Sequence, residues 1–364
     1  MDITEPTVDV TVTAEGVIDN SDEISINIVF LICTIIMLCM GLVGNVLVIG
    51  AVLVHRRLRV LGNVFVINLA IADMCVTIFV DTFSIVGIAT DGRFFDTQQA
   101  LCDMVGVICV TSCSCSMWNI GHISLNRYMR ICHGKLYPRV YNRRTIPFIL
   151  AVTWTLCFLI DLPNLVGWGA HAFDARIMMC TYDYTESYTY TLYFIGWGFG
   201  FPLVVTSYSY LRIIYVVKQA ERNARKANDV QTVSKAVSGT TRPAGTSKES
   251  QKRVPRIGNT DIRLLRSVFT IWIVFLVMWS PYAITVLGDT QYLWPTDVYV
   301  VAVILAHTNS SINGILYAAT NRHFREGYGY LIRRCLRGRR VSPGAVDTES
   351  TVLMRPQEKS TSTR

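Results

Sequence analysis

Seven long apolar runs, separated by polar segments, constrain this chain more than any other feature. They fall at roughly 26–54, 63–90, 102–130, 145–168, 190–217, 264–288 and 298–320. A run of about 20 apolar residues is long enough to cross a bilayer as a helix. Lipid offers no hydrogen bonds, so a spanning segment must satisfy its own backbone groups. The runs are too long and too continuous for the short alternating strands of a barrel. Of 364 residues, 51% are hydrophobic and 16% charged, against about 25% charged in a soluble domain. The surplus apolar surface has to face lipid. The sequence therefore predicts an all-α membrane protein, a bundle of seven helices.

Basic residues set the orientation, because cytoplasmic loops carry the excess of Lys and Arg. Arg56, Arg57 and Arg59 follow the first run, and Arg139, Arg143 and Arg144 follow the third. The segments 218–263 and 333–340 are dense in Lys and Arg, whereas the opposite loops hold only Arg93 and Arg176. The N-terminus is thus expected outside and the C-terminus in the cytoplasm, in a multi-pass plasma-membrane protein. The net charge of +8 reflects this bias, with anionic lipid as a partner of the inner surface. It calls for no nucleic acid.

Four regions follow. Residues 1–25 form an acidic outer tail without Lys or Arg. No basic n-region with a short apolar core precedes the first run, so that run is expected to act as the targeting signal. The bundle occupies 26–320 and includes a flexible cytoplasmic loop at about 219–260, rich in Ser, Thr, Gly, Lys and Arg. Residues 321–340 place Phe324, Tyr328, Leu331 and Leu336 among basic residues, a pattern for a short amphipathic helix on the membrane surface. Cys335 is either acylated there or unmodified. Residues 341–364 are a disordered tail whose Ser and Thr are either simply solvated or substrates for a kinase.

Polar residues within the spans are costly and informative. Asp73 sits mid-span, and Asn45, Ser116, Asn309 and Asn313 fall at comparable depth. Singly, each reads as a helix-to-helix hydrogen bond. Together they suit either a sodium ion or a buried protonated Asp73. Asp81 and Asp161 lie in outer halves of their spans and read first as hydrogen bonds to neighbouring helices, second as pocket groups. Cys113 and Cys115 do not share a helix face, so packing is the first reading for them. The six histidines are too dispersed along the chain to suggest a metal or catalytic centre. No enzyme, no cofactor and no metal beyond sodium is expected.

A set of markers appears in order, one group per span. These are Gly44-Asn45; Leu69-Ala70 with Asp73; Cys102 and Asn126-Arg127-Tyr128; Trp154 with Pro163; Pro202 and Tyr210; Phe275 with Trp279-Ser280-Pro281; and Asn313-Gly314-Ile315-Leu316-Tyr317. With them the chain resembles the rhodopsin-like (class A) G-protein-coupled receptors over residues 26–335. The resemblance implies a disulfide between Cys102 and Cys180. It implies a kink at Pro281, around which the inner half of the sixth span swings while Phe275 repacks against Trp279. It further implies that Arg127, Tyr210 and Tyr317 meet at a cytoplasmic groove for a G-protein helix. Asn126, Tyr128 and Asn313 belong to the same machinery. Arrestin and a receptor kinase are implied partners alongside the heterotrimeric G protein.

Two departures narrow the resemblance. Asn126 stands where most of the family has an acid, and Gly314 where most have Pro. Both look like the melatonin receptors and their invertebrate orphan relatives, as do Ile131-Cys132-His133 and Leu162-Pro163-Asn164-Leu165. That likeness implies an inhibitory G protein, lowered cyclic AMP, and melatonin or a related small molecule as ligand. Asn164 and Tyr182 match ligand-contacting positions of that group. Gly198 replaces its fifth-span His, and Tyr184 its loop Gln. Cys109, Cys113, Phe194, Trp279, Tyr282 and His307 complete the expected pocket. Cys109 occupies the place of the Asp that pairs with amines, and His307 that of the Lys that holds retinal. A class A receptor for a different ligand, lipid or peptide, is the alternative. A channel or transporter is more remote, since no paired repeats with broken helices occur.

Overall fold

The computed structural model describes residues 20–237, 259–291 and 293–337, with side chains at 25–223, 226, 269–291 and 293–336. Among the described residues, seven helices are long and apolar enough to span a membrane. They are Ser25–Val54, Leu61–Thr90, Gln99–Cys132, Thr145–Leu165, Tyr188–Asn223, Phe269–Gly288 and Thr296–Thr320, the first to seventh spans below.

Several expected boundaries move. The first helix begins at Asn20, inside the expected outer tail, and the sixth at Asn259, inside the expected loop. The fourth span ends at Leu165 rather than 168, because Gly167 takes φ +91°, a left-handed turn that glycine adopts without penalty. The fifth span's helix continues to Val237, so 219–237 of the expected flexible loop is helix. That stretch leaves the apolar run but keeps Gln219, Ala220, Glu221, Arg222, Ala224, Arg225 and Lys226, all good helix formers. Residues 238–258 of that loop, the outer tail up to residue 19, residues 338–340 of the expected amphipathic helix and the tail 341–364 lie outside the described residues.

The third span is the axis of the bundle and packs against the second, fourth and fifth. It is buried on all sides at mid-depth, where Gly106, Cys109, Ser112, Cys113, Ser114, Cys115 and Ser116 are small residues that let neighbouring helices approach closely. Polar contacts join its neighbours. Trp154 Nε1 donates to Asn68 Oδ1 at 3.0 Å, and Asn68 Nδ2 donates to Asn119 Oδ1 at 2.9 Å. The first and seventh spans touch through Gly44 and Gly314, where a methyl on residue 314 would meet Gly44 Cα at 2.7 Å. This contact gives a physical reason for glycine at the place where most of the family has proline.

Two spans contain π-helical stretches, Val76–Asp81 in the second and Ile195–Gly200 in the fifth. Such bulges rotate the residues beyond them and often mark functional sites. Outside, strands β1 (His171–Asp174) and β2 (Met179–Tyr182) form an antiparallel hairpin with His171 opposite Tyr182. The Cys102–Cys180 disulfide fastens β2 to the outer end of the third span.

An amphipathic helix, Arg322–Arg337, follows the seventh span. It buries Phe324 and Tyr328 and leaves Ile332 and Leu336 exposed, as a helix resting on lipid would. Tyr328 Oη donates to Gly314 O at 3.1 Å, and Phe324 stacks on Tyr317 at 4.8 Å. Cys335 is exposed on this helix.

Candidate functional site

A cavity opens in the outer half of the bundle beneath the hairpin. Seven expected pocket residues line it: Cys109, Cys113, Tyr182, Phe194, Trp279, Tyr282 and His307. The hairpin adds Ile177, Met179 and Thr181, which sequence reasoning missed because loop residues carry no helical periodicity. The aromatic rings are in mutual contact, with Tyr182 on Phe194 at 4.8 Å and Trp279 edge-on to Tyr282 at 5.9 Å. Mostly apolar walls with a few polar groups are the usual character of a small-molecule site.

Asn164 and Gly198 do not line this cavity. Asn164 Nδ2 donates to Asp161 Oδ1 at 2.9 Å, and the same oxygen faces His171 Nε2 at 3.1 Å. Asp161 therefore holds its own helix to β1 rather than bonding a neighbouring helix. Gly198 is buried against Phe194 and Ser114, where a methyl would sit 3.2 Å from the Phe194 ring. Asp81 does reach a neighbouring helix, and its partner is the pocket residue His307, with Nδ1 2.7 Å from Asp81 Oδ1. Both side chains are almost wholly buried. Asp81 Oδ2 has no hydrogen-bond partner, so the His307 imidazole is the carboxylate's one hydrogen-bond partner among the described residues. The second span's bulge ends at Asp81, so it sets the direction of that carboxylate.

From the cavity floor an aromatic path descends. Trp279 contacts Phe275 at 6.4 Å, and Phe275 contacts Phe199 of the fifth span at 5.7 Å. Pro281 lies inside the sixth helix, and nearby hydroxyls take up carbonyls, Ser280 Oγ donating to Leu276 O at 2.6 Å and Thr285 Oγ1 to Pro281 O at 2.9 Å. Both are bonds to the carbonyl one turn back. The carbonyl that Pro281 itself leaves without a donor is that of Val277, and this missing bond is what weakens the helix there.

Below the path, Asp73 is fully buried, accepting from Ser116 Oγ and from Asn313 Nδ2, each at 2.8 Å. Asn313 Oδ1 is buried without a partner, as is Asn309 Nδ2. Asn45 turns elsewhere and donates to Ser310 O at 3.1 Å. A carboxylate, a hydroxyl and an orphaned amide oxygen fit a small hard cation.

At the inner end, Arg127 makes one hydrogen bond, Nη2 to Asn63 Oδ1 at 3.4 Å, and no ion pair among the described residues. Asn126 donates to Tyr137 Oη at 3.3 Å instead of engaging Arg127. Tyr128 Oη meets His133 Nε2 at 2.9 Å. Tyr210 and Tyr317 lie within electrostatic reach of Arg127, yet both hydroxyls are buried and unpartnered. The histidines, read as dispersed, are in part brought together. His55 and His323 lie beside Glu326 with ring centroids 5.4 Å apart, joined by a fold that sequence spacing does not reveal.

Known proteins share this architecture. The family profile described as 7 transmembrane receptor (rhodopsin family) matches residues 44–317. The chain is 30% identical over 306 residues to melatonin receptor type 1B of Mus musculus, covering 81% of this chain and 76% of that protein. It is 31% identical over 291 residues to melatonin receptor type 1B-B of Danio rerio, covering 78% and 76%. It is 30% identical over 300 residues to melatonin receptor type 1B of Homo sapiens, covering 81% and 75%. Squid rhodopsin superposes with a TM-score of 0.64 at 22% identity over 93% of each chain, a likeness of fold. The chain belongs to the rhodopsin family of seven-transmembrane receptors: it is a multi-pass plasma-membrane G-protein-coupled receptor, not an enzyme, and it is related to the melatonin receptors.

Proposed function

We propose that this receptor binds a small extracellular molecule in the outer cavity and couples to an inhibitory G protein, lowering cyclic AMP. Melatonin or a related molecule is the leading ligand. The observation that carries the reading is the aromatic, largely apolar cavity floored by Trp279, in a chain about 30% identical to melatonin receptors. An agonist acts by binding one bundle conformation more tightly than the other. Trp279 and Phe275 pass the shift to the sixth span, which pivots at Pro281. Arg127, Tyr210 and Tyr317 then line the groove that takes the G-protein helix, with Asn126, Tyr128 and Asn313 setting the resting balance. Sodium beside Asp73, Ser116, Asn309 and Asn313 acts as an allosteric ligand of the resting state. Arrestin and a receptor kinase act on the tail, and Cys335 is an acylation site.

A second reading rests on the Asp81–His307 pair. A buried carboxylate–imidazole pair on the cavity wall favours a ligand other than melatonin, one that meets the imidazole with a polar group. Nucleotide exchange measured across a panel of G proteins, with and without melatonin, separates the two. A saturable melatonin response through the inhibitory class supports the first reading. Basal coupling with no melatonin response supports the second, and absence of exchange with any G protein refutes both.

A further inference from the structure

The inner surface holds a donor cluster that belongs neither to the cavity nor to the coupling groove. His55 follows the first span, while His323 and Glu326 share one face of the amphipathic helix, three residues apart. His55 Nε2 and His323 Nδ1 each lie 3.2 Å from the same atom, Glu326 Oε2. The three ligating atoms all fall within 4.8 Å of one another. Arg322 Nε binds the other oxygen, Oε1, at 2.6 Å, and so fixes the carboxylate without using the oxygen that faces the imidazoles. Burial raises the Glu326 carboxyl, but hydrogen bonds from Arg322 and His323 outweigh it and hold the group below its ordinary value.

We propose that His55, His323 and Glu326 form a zinc site that ties the first inner loop to the amphipathic helix. Two imidazoles and a carboxylate are donors that zinc accepts, with an open position left for water. Ligands roughly 2.0–2.1 Å from a tetrahedral ion stand about 3.3 Å apart. Two of the three separations already have that length, and rotation of an imidazole closes the third. As it stands, two ring nitrogens compete for one carboxylate oxygen; a divalent cation replaces the shared protons and engages all three groups. Magnesium and calcium are disfavoured because they require more ligands, all of them oxygen. The Arg322 contact supplies the outer support that orients a ligating carboxylate. An occupied site clamps the amphipathic helix to the inner end of the first span, beside the surface that meets the G protein.

The test is zinc titration of the full-chain receptor, purified without a polyhistidine tag and carrying Cys335→Ser so that the exposed thiol on the amphipathic helix does not bind metal. A chromophoric chelator reports competition, with magnesium in excess. One zinc per receptor is expected. His55→Gln, His323→Gln and Glu326→Gln should each weaken binding by about tenfold or more, while His133→Gln, another inner-face histidine, should not. Zinc should also raise the melting temperature of the parent and of His133→Gln but of none of the three site variants, each compared with itself in chelator. No bound zinc in the parent overturns the proposal. So does unchanged affinity in the three site variants, or an equal loss in His133→Gln.

Discussion

The two ends of the bundle are built on opposite principles. The outer end is cross-linked. A disulfide holds β2 to the third span, and Asp161 joins Asn164 to His171 of β1. Asp289 closes the last outer loop by accepting from the backbone of Leu293 and Trp294 and from Tyr299 Oη. Although burial opposes ionisation there, these hydrogen bonds hold Asp289 down at about 2. Among the described residues, the inner end has no such fastening around Arg127. Its guanidinium makes one long hydrogen bond, and the hydroxyls of Tyr210 and Tyr317 are buried without partners. Each such group costs about 1–3 kcal/mol. The outer end is the cross-linked frame around the cavity proposed to take the ligand. Buried polar atoms without partners occur at both ends, Asp81 Oδ2, Asp161 Oδ2 and Asn164 Oδ1 in the outer half among them. The inner end differs in that its orphaned groups surround Arg127 with no disulfide and no ion pair to that residue among the described residues.

The contrast can be broken most severely at Arg127. Arg127→Ala should abolish nucleotide exchange while surface expression and ligand binding stay near those of the parent. Exchange assays paired with surface labelling check this, and undiminished exchange would remove Arg127 from the mechanism. The next effect belongs to the frame. Cys102→Ser removes the disulfide and should cost about 2–5 kcal/mol of stability, seen as a lower melting temperature and lost ligand binding. The surviving folded fraction should retain basal exchange, because no inner contact depends on the bridge.

A smaller and more local change sharpens the distinction within the second span. Asp73 is met by neutral donors, whereas Asp81 faces His307. His307→Gln leaves a buried carboxylate without its partner and should destabilise by about 3 kcal/mol. Asp81→Asn combined with His307→Gln should recover part of that loss. Additive losses in this double-mutant cycle, read from thermal unfolding, would mean that the pair is not coupled.

Much of this was legible in the sequence, because lipid enforces a simple code. Hydropathy located all seven spans, and the Lys and Arg bias predicted their orientation. The family's ordered markers brought Cys102 to Cys180 and placed Trp279 above Phe275. What remained hidden depends on contacts between distant elements. Asp81 and His307 are 226 positions apart, and a π-helical stretch shifts the register that a regular helix would give. Asn164 matched a ligand position, yet it spends its amide on Asp161 one turn away. The helix through 219–237 left the apolar run, so hydropathy could not mark it. His55 and His323 become neighbours only once the amphipathic helix folds back beneath the first span.

In the proposed mechanism the sixth span pivots at Pro281 and opens the inner end while the outer frame holds. Spin labels at Arg130 and Phe269, both exposed on inner segments of the third and sixth spans, measure this directly. Their separation should increase when nucleotide-free G protein is added, while labels at Met104 and Ile284 near the outer ends stay at constant distance. An unchanged inner distance in a receptor that still drives nucleotide exchange would contradict the account.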